Sequence, residues 1–405
     1  MPRVLFLSYD GLTDPLGQSQ VLPYLMGLAA KGHRIAIVSC DKQEALAARG
    51  QAVAAQCALA GIDWQPVRYR PSPPVASTLA NLVAMEREAA AMQRAAPFDI
   101  VHCRSLLPAL IGRRMQRRDG TRFLFDMRGF WIDERFERGI WSEANPLYRV
   151  IATWLRQRER DAYANADAVV SLTNAAKDEL GRRGGADWAA KTAVIPCCAD
   201  LDHFHPRGGA ARVEGRTMLD LSSDTPVLLF LGSLGGAYPL DPVFRFFRHW
   251  SEGRDDARLL FVTRHPAAEI VAHPAAAGLE AQIIVRAGER ADMPALVAAA
   301  DAGLSFILPS FCAIASSPTK VGEMLAMGVP VAANAGVGDM TPIMREPGAG
   351  VLLPDFEPAS VEQAADAMRC LPCDPIAARA VAQGWFALDS GVSTYDRLYR
   401  DLVSR

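Results

Sequence analysis

"SSPTKVGEMLAMGVPVAANAGVGD", residues 316–339, holds one repeat of an α/β architecture. Apolar residues at helical spacing run from Val321 to Met327 and Gly328 closes them. Pro330 then opens a short buried strand, and Gly336-Val337-Gly338 forms a flexible loop at its far end. Ser317 is expected to cap the helix, with Pro318 in its first position, where no N–H is needed. The unpaired first-turn amides carry partial positive charge, so a lysine there, Lys320, is unfavourable unless an anion sits between it and the amides. Phosphate would satisfy both. Glu323, one turn further in, can accept hydrogen bonds from hydroxyls.

The same alternation extends through the chain. "RVLFLS", "HRIAIVS", "FDIVHC", "RFLFDM", "ADAVVSL" and "KTAVIPCC" read as strands of a first half, and "PVLLFLGS", "ARLLFVT", "AQIIVRA", "AGLSFIL", "VPVAAN" and "GVLLP" as strands of a second, with helical segments between. Parallel strands need crossovers, so the fold class is α/β: two Rossmann-like doubly wound parallel-sheet domains facing across a cleft. The region from about Asp200 to Pro226 is rich in Gly, Pro, Asp and Arg and lacks periodicity, and reads as a linker. The expected domains are 1–205 and 206–380, followed by a terminal helix in 381–405. In such sheets ligands bind beyond the carboxyl ends of the strands.

Composition excludes several classes. The 405 residues suit two domains, and 50% hydrophobic with 22% charged residues suits a globular protein. A formal net charge of −2 speaks against a nucleic-acid-binding body. The eight cysteines are scattered; neither Cys370-Leu-Pro-Cys373 nor Cys197-Cys198 is completed to a zinc site, so they read as free thiols. Asp255-Asp256 reads as a solvated turn, and no metal motif is found. No apolar run is long enough to span a membrane and "VLFLS" is too short for a signal segment, which points to the cytoplasm. Arg113, Arg114, Arg117 and Arg118 share one side of a helix; they read either as a solvated face or as a peripheral contact for anionic lipid at the inner face of a membrane. There is no phosphate loop of the G-x-x-x-x-G-K-S/T type and no nucleophile elbow. A dinucleotide-dependent oxidoreductase is disfavoured because the first strand leads into Asp10-Gly11-Leu12-Thr13-Asp14-Pro15-Leu16-Gly17 rather than a G-x-G-x-x-G turn.

With these residues in view, residues 320–339 resemble the nucleotide-sugar site of GT-B-fold retaining glycosyltransferases of the family 4 (group 1) type, whose pattern is E-x-(L/M)-A-x-G-x-P-V. "LGQSQVLPYLMGLAAKGHRIAIVS" (16–39) resembles that group's N-terminal glycine loop and first helix, and "VIPCCADLDHFHP" (194–206) its interdomain element. "LLFLGSLGGAYPLD" (228–241) and "SFILPSFCAIASSPTK" (305–320) resemble a bacterial subgroup carrying an S-S-P-T-K segment.

The resemblance implies a nucleotide-diphospho-sugar donor, with no further cofactor and no metal. It places the donor diphosphate at Ser316, Ser317, Pro318, Thr319 and Lys320, the ribose at Glu323, and Gly17 and Gln18 in a loop facing the same phosphates. Three positions depart from the family pattern. Ala315 stands in place of the first glutamate of a pair; Gly232-Ser233-Leu234-Gly235 replaces a stretch with Arg and Lys; and Asp126-Met127-Arg128 replaces the region of a histidine. Lys320, with Arg264 as a weaker candidate, is expected to supply the missing positive charge, and Ser233 to line the donor site.

"LFDMRGFWIDERFERGIW" (124–141) concentrates charge and aromatic rings after a strand end. It reads as a cleft-facing loop or as an internally salt-bridged one. Asp126 and Arg128 are the catalytic candidates beside Lys320. His102, Arg104, Trp131, Asp133 and Glu134 are the candidates for holding an acceptor. The expected reaction is sugar transfer to an acceptor hydroxyl on a glycan or lipid-linked molecule, with retention, in bacterial polysaccharide or glycolipid assembly. Two alternatives stand beside it: a sugar-nucleotide 2-epimerase, and a non-catalytic nucleotide- or glycan-binding relative. The resemblance also implies that the terminal helix returns to the N-terminal domain.

Overall fold

A computed structural model of the protein describes residues 1–404, apart from the side chain of Arg207. Arg405, the last residue of the expected terminal segment, lies outside the described residues. The chain forms two compact units, Met1–Pro196 with the segment from Leu388 onward, and Cys197–Ala387.

The first unit runs β1 (Arg3–Ser8), α1 (Pro15–Gln20), α2 (Leu22–Ala30), β2 (Arg34–Asp41), α3 (Gln43–Leu59), β3 (Asp63–Arg68), α4 (Pro74–Ala95), β4 (Ile100–Arg104), α5 (Leu106–Asp119), β5 (Arg122–Asp126), α6 (Trp131–Glu137), α7 (Pro146–Asn165), β6 (Ala168–Ser171), α8 (Asn174–Gly184), α9 (Ala186–Ala190) and β7 (Thr192–Val194). Its seven strands are all parallel, in the order β3-β2-β1-β4-β5-β6-β7. The order reverses between β1 and β4, where Ser8 lies opposite Arg104, and Arg104 in turn opposite Asp126. Central strands buried on both faces favour apolar side chains on both, which is why β1 and β5 read as near-continuous runs, while β4 carries buried His102 and Arg104 toward its carboxyl end. β3 was not expected. It is an edge strand with sequence DWQPVR, and an edge tolerates the polar residues and the proline that a central strand excludes.

The second unit runs α10 (Ala210–Met218), β8 (Val227–Leu231), α11 (Asp241–Trp250), β9 (Arg258–Val262), α12 (Ala267–Val271), β10 (Ile283–Arg286), α13 (Met293–Ala298), β11 (Ala302–Ser305), α14 (Thr319–Ala326), β12 (Val331–Asn334), α15 (Met340–Ile343), β13 (Gly350–Leu353), α16 (Pro358–Arg369) and α17 (Pro375–Phe386). Its six strands are parallel in the order β10-β9-β8-β11-β12-β13, and here the order reverses between β8 and β11. On one sheet face α11 buries Val243, Phe244, Phe246 and Phe247 completely; each such side chain contributes roughly 1.5–3 kcal/mol.

The expected linker is corrected. The division falls between Pro196 and Cys197, because the Ala199 N–H already bonds to the Phe386 carbonyl at 2.7 Å. The supposed linker contains a helix, α10. Arg212 and Arg216 of α10 both pair with Asp301, at 2.5 and 3.1 Å, a partner too distant in sequence for local periodicity to reveal.

The final helix, α18 (Leu388–Ser404), belongs to the first unit and packs on α2. Val392, Tyr395, Tyr399 and Leu402 form its buried stripe. A Cβ built on Gly27 of α2 would lie 2.7 Å from a Val392 methyl, so a glycine is what lets the two helices approach. Among the described residues no helix is long and apolar enough to cross a membrane, and no group of three His, Cys, Asp or Glu side chains is placed to hold a metal ion. Cys197 and Cys198 are buried, and Cys370 and Cys373 are exposed.

Candidate functional site

In the second unit, the segment between β11 and α14 is clamped from beneath. Buried Asn334, at the end of β12, accepts from the Ile307 N–H and donates to the Ile307 carbonyl, both at 2.9 Å. The Gly338 N–H bonds to the Ala313 carbonyl at 2.9 Å. Sequence reading passed over Asn334, although a lone polar residue at the end of the apolar strand "VAAN" marks a side chain with a specific partner.

This clamp sets the start of α14. The Ser317 hydroxyl accepts from the Cys197 N–H at 3.1 Å, so it is not the helix cap expected of it. Pro318 takes the capping position with extended backbone, and no side chain caps the helix. The first-turn amides of Thr319 and Lys320 are thus left without an intrahelical acceptor. Lys320 points its Nζ toward the end of β8, where a Cβ built on Gly232 would lie 3.5 Å away. Gly232 has φ +119°, a conformation that favours glycine. The ammonium stands 4.2 Å from the Tyr238 ring centroid and 5.2 Å from that of Phe230. It is shielded from solvent and, among the described residues, has no hydrogen-bond partner.

Burial lowers the Lys320 pKa to about 8, against the opposing pull of Glu323. Burial likewise pushes the Glu323 carboxyl up to about 7, against Arg290 and Lys320. A desolvated ammonium without a bonded anion is costly, and beside β8, where the strand order reverses, it marks a place for an anionic ligand. Ser316 and Thr319 are half-buried beside it in sequence, and Ser233 is exposed in the loop after β8. Arg264, the weaker candidate for a second cation, is exposed and its guanidinium turns to Glu289, at 3.4 Å. Ala315 is buried, 2% exposed, and offers no polar group where the family pattern has a glutamate.

In the first unit, the charged residues at the strand ends satisfy one another. Asp126 and His102 are 2% and 1% exposed. The Tyr395 hydroxyl donates to Asp126 Oδ2 at 3.0 Å; His102 Nε2 and Arg128 Nη1 lie 3.6 and 3.8 Å from the same oxygen. His102 Nδ1 and the Tyr399 hydroxyl are 2.7 Å apart. Burial pulls the Asp126 pKa up, but Arg128, His102 and Arg104 outweigh it and hold the carboxyl below its ordinary value. Burial lowers the pKa of His102 despite Asp126, so the imidazole is neutral at neutral pH. The hollow beside this cluster is 10 Å³, at the lower limit for a single water. The structure thus places Asp126 and His102, expected in catalytic and acceptor-holding roles, in a buried cluster under α18 whose members bond one another. Arg104 pairs with Asp10, joining the end of β4 to the loop after β1.

Two non-glycine residues at neighbouring strand ends have left-handed backbone, Ser105 (φ 73°) after β4 and Arg128 (φ 56°) after β5. Each costs on the order of 1–3 kcal/mol, a strain that collects at functional edges. Gly17 and Gln18 lie in α1 rather than in a loop. A Cβ on Gly17 would meet the Gly11 carbonyl and the Leu12 Cα, the latter at 2.7 Å, so this glycine serves packing of the chain on itself. Gln18 donates to the Leu12 carbonyl at 2.7 Å.

On α6, Asp133 pairs with Arg156 and Arg183 at 3.0 and 3.7 Å, and Glu134 with Arg138 at 2.5 Å. The salt-bridged reading of this stretch therefore holds for those two carboxylates. Trp131 instead lines a 680 Å³ cavity, together with Tyr9 and Tyr69. Neither tyrosine was anticipated. Tyr9 directly follows β1 in "RVLFLSYD" and was legible as a strand-end residue; Tyr69 follows β3, the strand that was missed.

Residues 18–198 match the profile of the glycosyl transferase 4-like domain, and residues 225–372 that of glycosyl transferases group 1. A search of curated proteins gave no match. Among solved structures, sucrose-phosphate synthase from Thermosynechococcus elongatus is similar with a TM-score of 0.68 at 16% identity, covering 99% of each chain. HepE from Anabaena, solved with UDP-glucose, gives 0.68 at 15% identity over 99% of this chain and 100% of that one. A glycosyltransferase from Rickettsia africae gives 0.67 at 16%, over 99% of each. At these identities the likeness concerns the fold. Two parallel-sheet α/β domains of the GT-B glycosyltransferase type, expected from the sequence, are the ones observed.

Proposed function

Because the chain belongs to the glycosyltransferases that join a 4-like domain to a group 1 domain, we propose that it moves a sugar from a nucleotide-diphospho-sugar to an acceptor hydroxyl. The Cys197–Ala387 unit takes the donor, and the Met1–Pro196 unit the acceptor. The observation that carries this reading is the buried Lys320 ammonium, without a hydrogen-bond partner among the described residues, beside a helix start that no side chain caps.

As the glycosidic bond opens, the sugar becomes oxocarbenium-like and negative charge grows on the departing diphosphate. Lys320 and the amides of Thr319 and Lys320 meet that charge with groups already in place, the arrangement that costs least reorganisation. Gly232 borders the ammonium: a Cβ there would stand in van der Waals contact with Nζ, and the φ of +119° favours glycine. Glu323 accepts from donor hydroxyls. In the proposed course the departing phosphate oxygen takes the acceptor proton and the anomeric configuration is retained. No protein base is then required, which agrees with the burial of Asp126 and His102. Arg128 positions the strained loop at the acceptor side. HepE, which shares the fold, was solved with UDP-glucose, and this supports a sugar-nucleotide donor. The acceptor is a glycan or lipid-linked molecule of bacterial surface polysaccharide or glycolipid assembly, met at the cytoplasmic face.

A thermal-shift panel of UDP-, GDP-, ADP- and dTDP-sugars tests the reading. One donor class should raise the melting temperature of the full chain and lose most of that effect in Lys320→Ala. No shift with any donor, or a shift indifferent to Lys320, overturns it. Donor incubated alone should keep its sugar configuration; inversion at C2 would identify the epimerase alternative.

A further inference from the structure

The 680 Å³ cavity of the first unit is within the range of roughly 300–1,000 Å³ that small-molecule sites occupy, yet the transfer reaction as described uses only Trp131 from its walls. Its polar lining comes from two helices, with Ser77, Thr78 and the paired Glu86 of α4 and Arg114 of α5, and from the carboxyl edge of the sheet. Tyr9 follows β1, Tyr69 follows β3, and Arg135 lies on α6, after β5. The Arg135 guanidinium is stacked 3.8 Å over Trp131, and its Nε is buried with no hydrogen-bond partner among the described residues. The apolar lining comes from three helices: Leu79, Leu82 and Val83 of α4, Leu110 of α5, and Ile151 and Trp154 of α7.

The rim carries a second signal. Val75, Leu79 and Val83 recur every fourth residue on α4, and Leu147, Val150 and Trp154 share one face of α7. All six are exposed, Leu79 by 57% and Val150 by 67%. Apolar stripes of this kind beside a hollow mark contact with something apolar. By contrast, the arginines read either as a solvated face or as a contact for anionic lipid are largely engaged: Arg113 with Asp161, Arg114 with Glu86 and Arg118 with Asp119.

We propose that this cavity receives the hydrocarbon chain of an anionic amphiphile, an isoprenyl or alkyl phosphate, with the phosphate at Arg135 and the chain between α4, α5 and α7. This names the class of acceptor carrier and rests on the reading of the first unit as the acceptor half. A hydrocarbon chain loses no hydrogen bonds on entering apolar walls, whereas a peptide would have to leave backbone groups unpaired there. The phosphate meets a cation that has no bonded anion of its own.

Titrating the tryptophan fluorescence of the full chain with octyl, decyl and dodecyl phosphate below micellar concentration tests the proposal. Affinity should rise several-fold per added methylene, up to about fourfold. Val83→Trp, at the exposed rim, should weaken dodecyl phosphate at least about tenfold by filling the entrance. Arg135→Gln should weaken dodecyl phosphate but not dodecanol. Four results overturn the proposal: affinity independent of chain length; inorganic phosphate binding as well as the amphiphile; Val83→Trp without effect; or a concentration-dependent dimer that Val83→Trp disperses, which would give the face to a second copy. Sugar-nucleotide thermal shifts recorded on the same variants keep the two readings apart. Donor binding retained without amphiphile binding sinks this inference alone, whereas no donor shift sinks the transferase reading itself.

Discussion

The carboxyl edges of the two sheets treat charge in opposite ways. Beyond β4 and β5, Asp126 is ringed by His102, Arg128 and the Tyr395 hydroxyl, all within 3.8 Å of one oxygen. Beyond β8, Lys320 is as well shielded but faces aromatic rings and the backbone of a glycine. Both sites contain a titratable group out of water, and both displace its pKa. Only the second leaves the cost of burial unanswered by a hydrogen bond. A charge whose partners are in the fold is part of the fold; one whose partner is missing awaits a ligand.

The largest effect should come from breaking the satisfied edge. Asp126→Ala strands Arg128, His102 and Tyr395 in an apolar surrounding, and losing one partner of a buried charge cluster costs on the order of 3–5 kcal/mol. Urea unfolding should show that loss, while the folded fraction keeps its affinity for donor, which belongs to the other unit. A variant of normal stability that has lost turnover would reverse the contrast and restore Asp126 to the chemistry.

Lys320→Ala should do the opposite. If the ammonium neutralises the leaving diphosphate, turnover falls by about 10²-fold or more, equivalent to about 2.7 kcal/mol of transition-state stabilisation. Stability should hold or improve, because a buried charge without a partner has been removed. Near-normal turnover, or unfolding comparable to that of Asp126→Ala, would erase the distinction between the two edges.

The contrast also explains what could be read in advance. The central strands were legible because burial on both faces favours near-continuous apolar runs, as in "VLLFL" of β8. β3 was not, because an edge relaxes that demand, and α10 was not, because its arginines answer to Asp301. Lys320 was legible because its problem is local: a cation placed at the positive end of a helix. The surroundings of Asp126 and His102 were not legible because their partners are remote. Tyr395 and Tyr399 stand 269 and 297 residues further along the chain, on a helix whose return to the first unit no periodicity encodes. Asp133 looked like a sugar contact for a similar reason: its arginine partners on α7 and α8 become evident only once the helices are packed, whereas the Glu134–Arg138 pair, one turn apart, fits the salt-bridged reading the sequence already offered.

The smallest effect sharpens the contrast without changing the fold. Burial holds Lys320 at about 8, below its ordinary value of 10.5. The free protein therefore loses this proton as pH rises through about 8, and kcat/KM, which reports free enzyme, should fall roughly tenfold per pH unit above that point. Stability moves the other way. Between about 8 and 10.5 the unfolded chain holds a proton that the folded chain has released, so this residue's share of the unfolding free energy rises with pH across that window and is flat below it. Bound diphosphate favours the ammonium, so the corresponding limb in kcat lies at higher pH than the limb in kcat/KM. Lys320→Arg keeps a charge that does not titrate in this range, and its kcat/KM limb near 8 should vanish even if turnover is reduced by the different shape of the guanidinium. A limb that persists in Lys320→Arg would belong to another group, and the unpaired ammonium would lose its claim to the leaving phosphate.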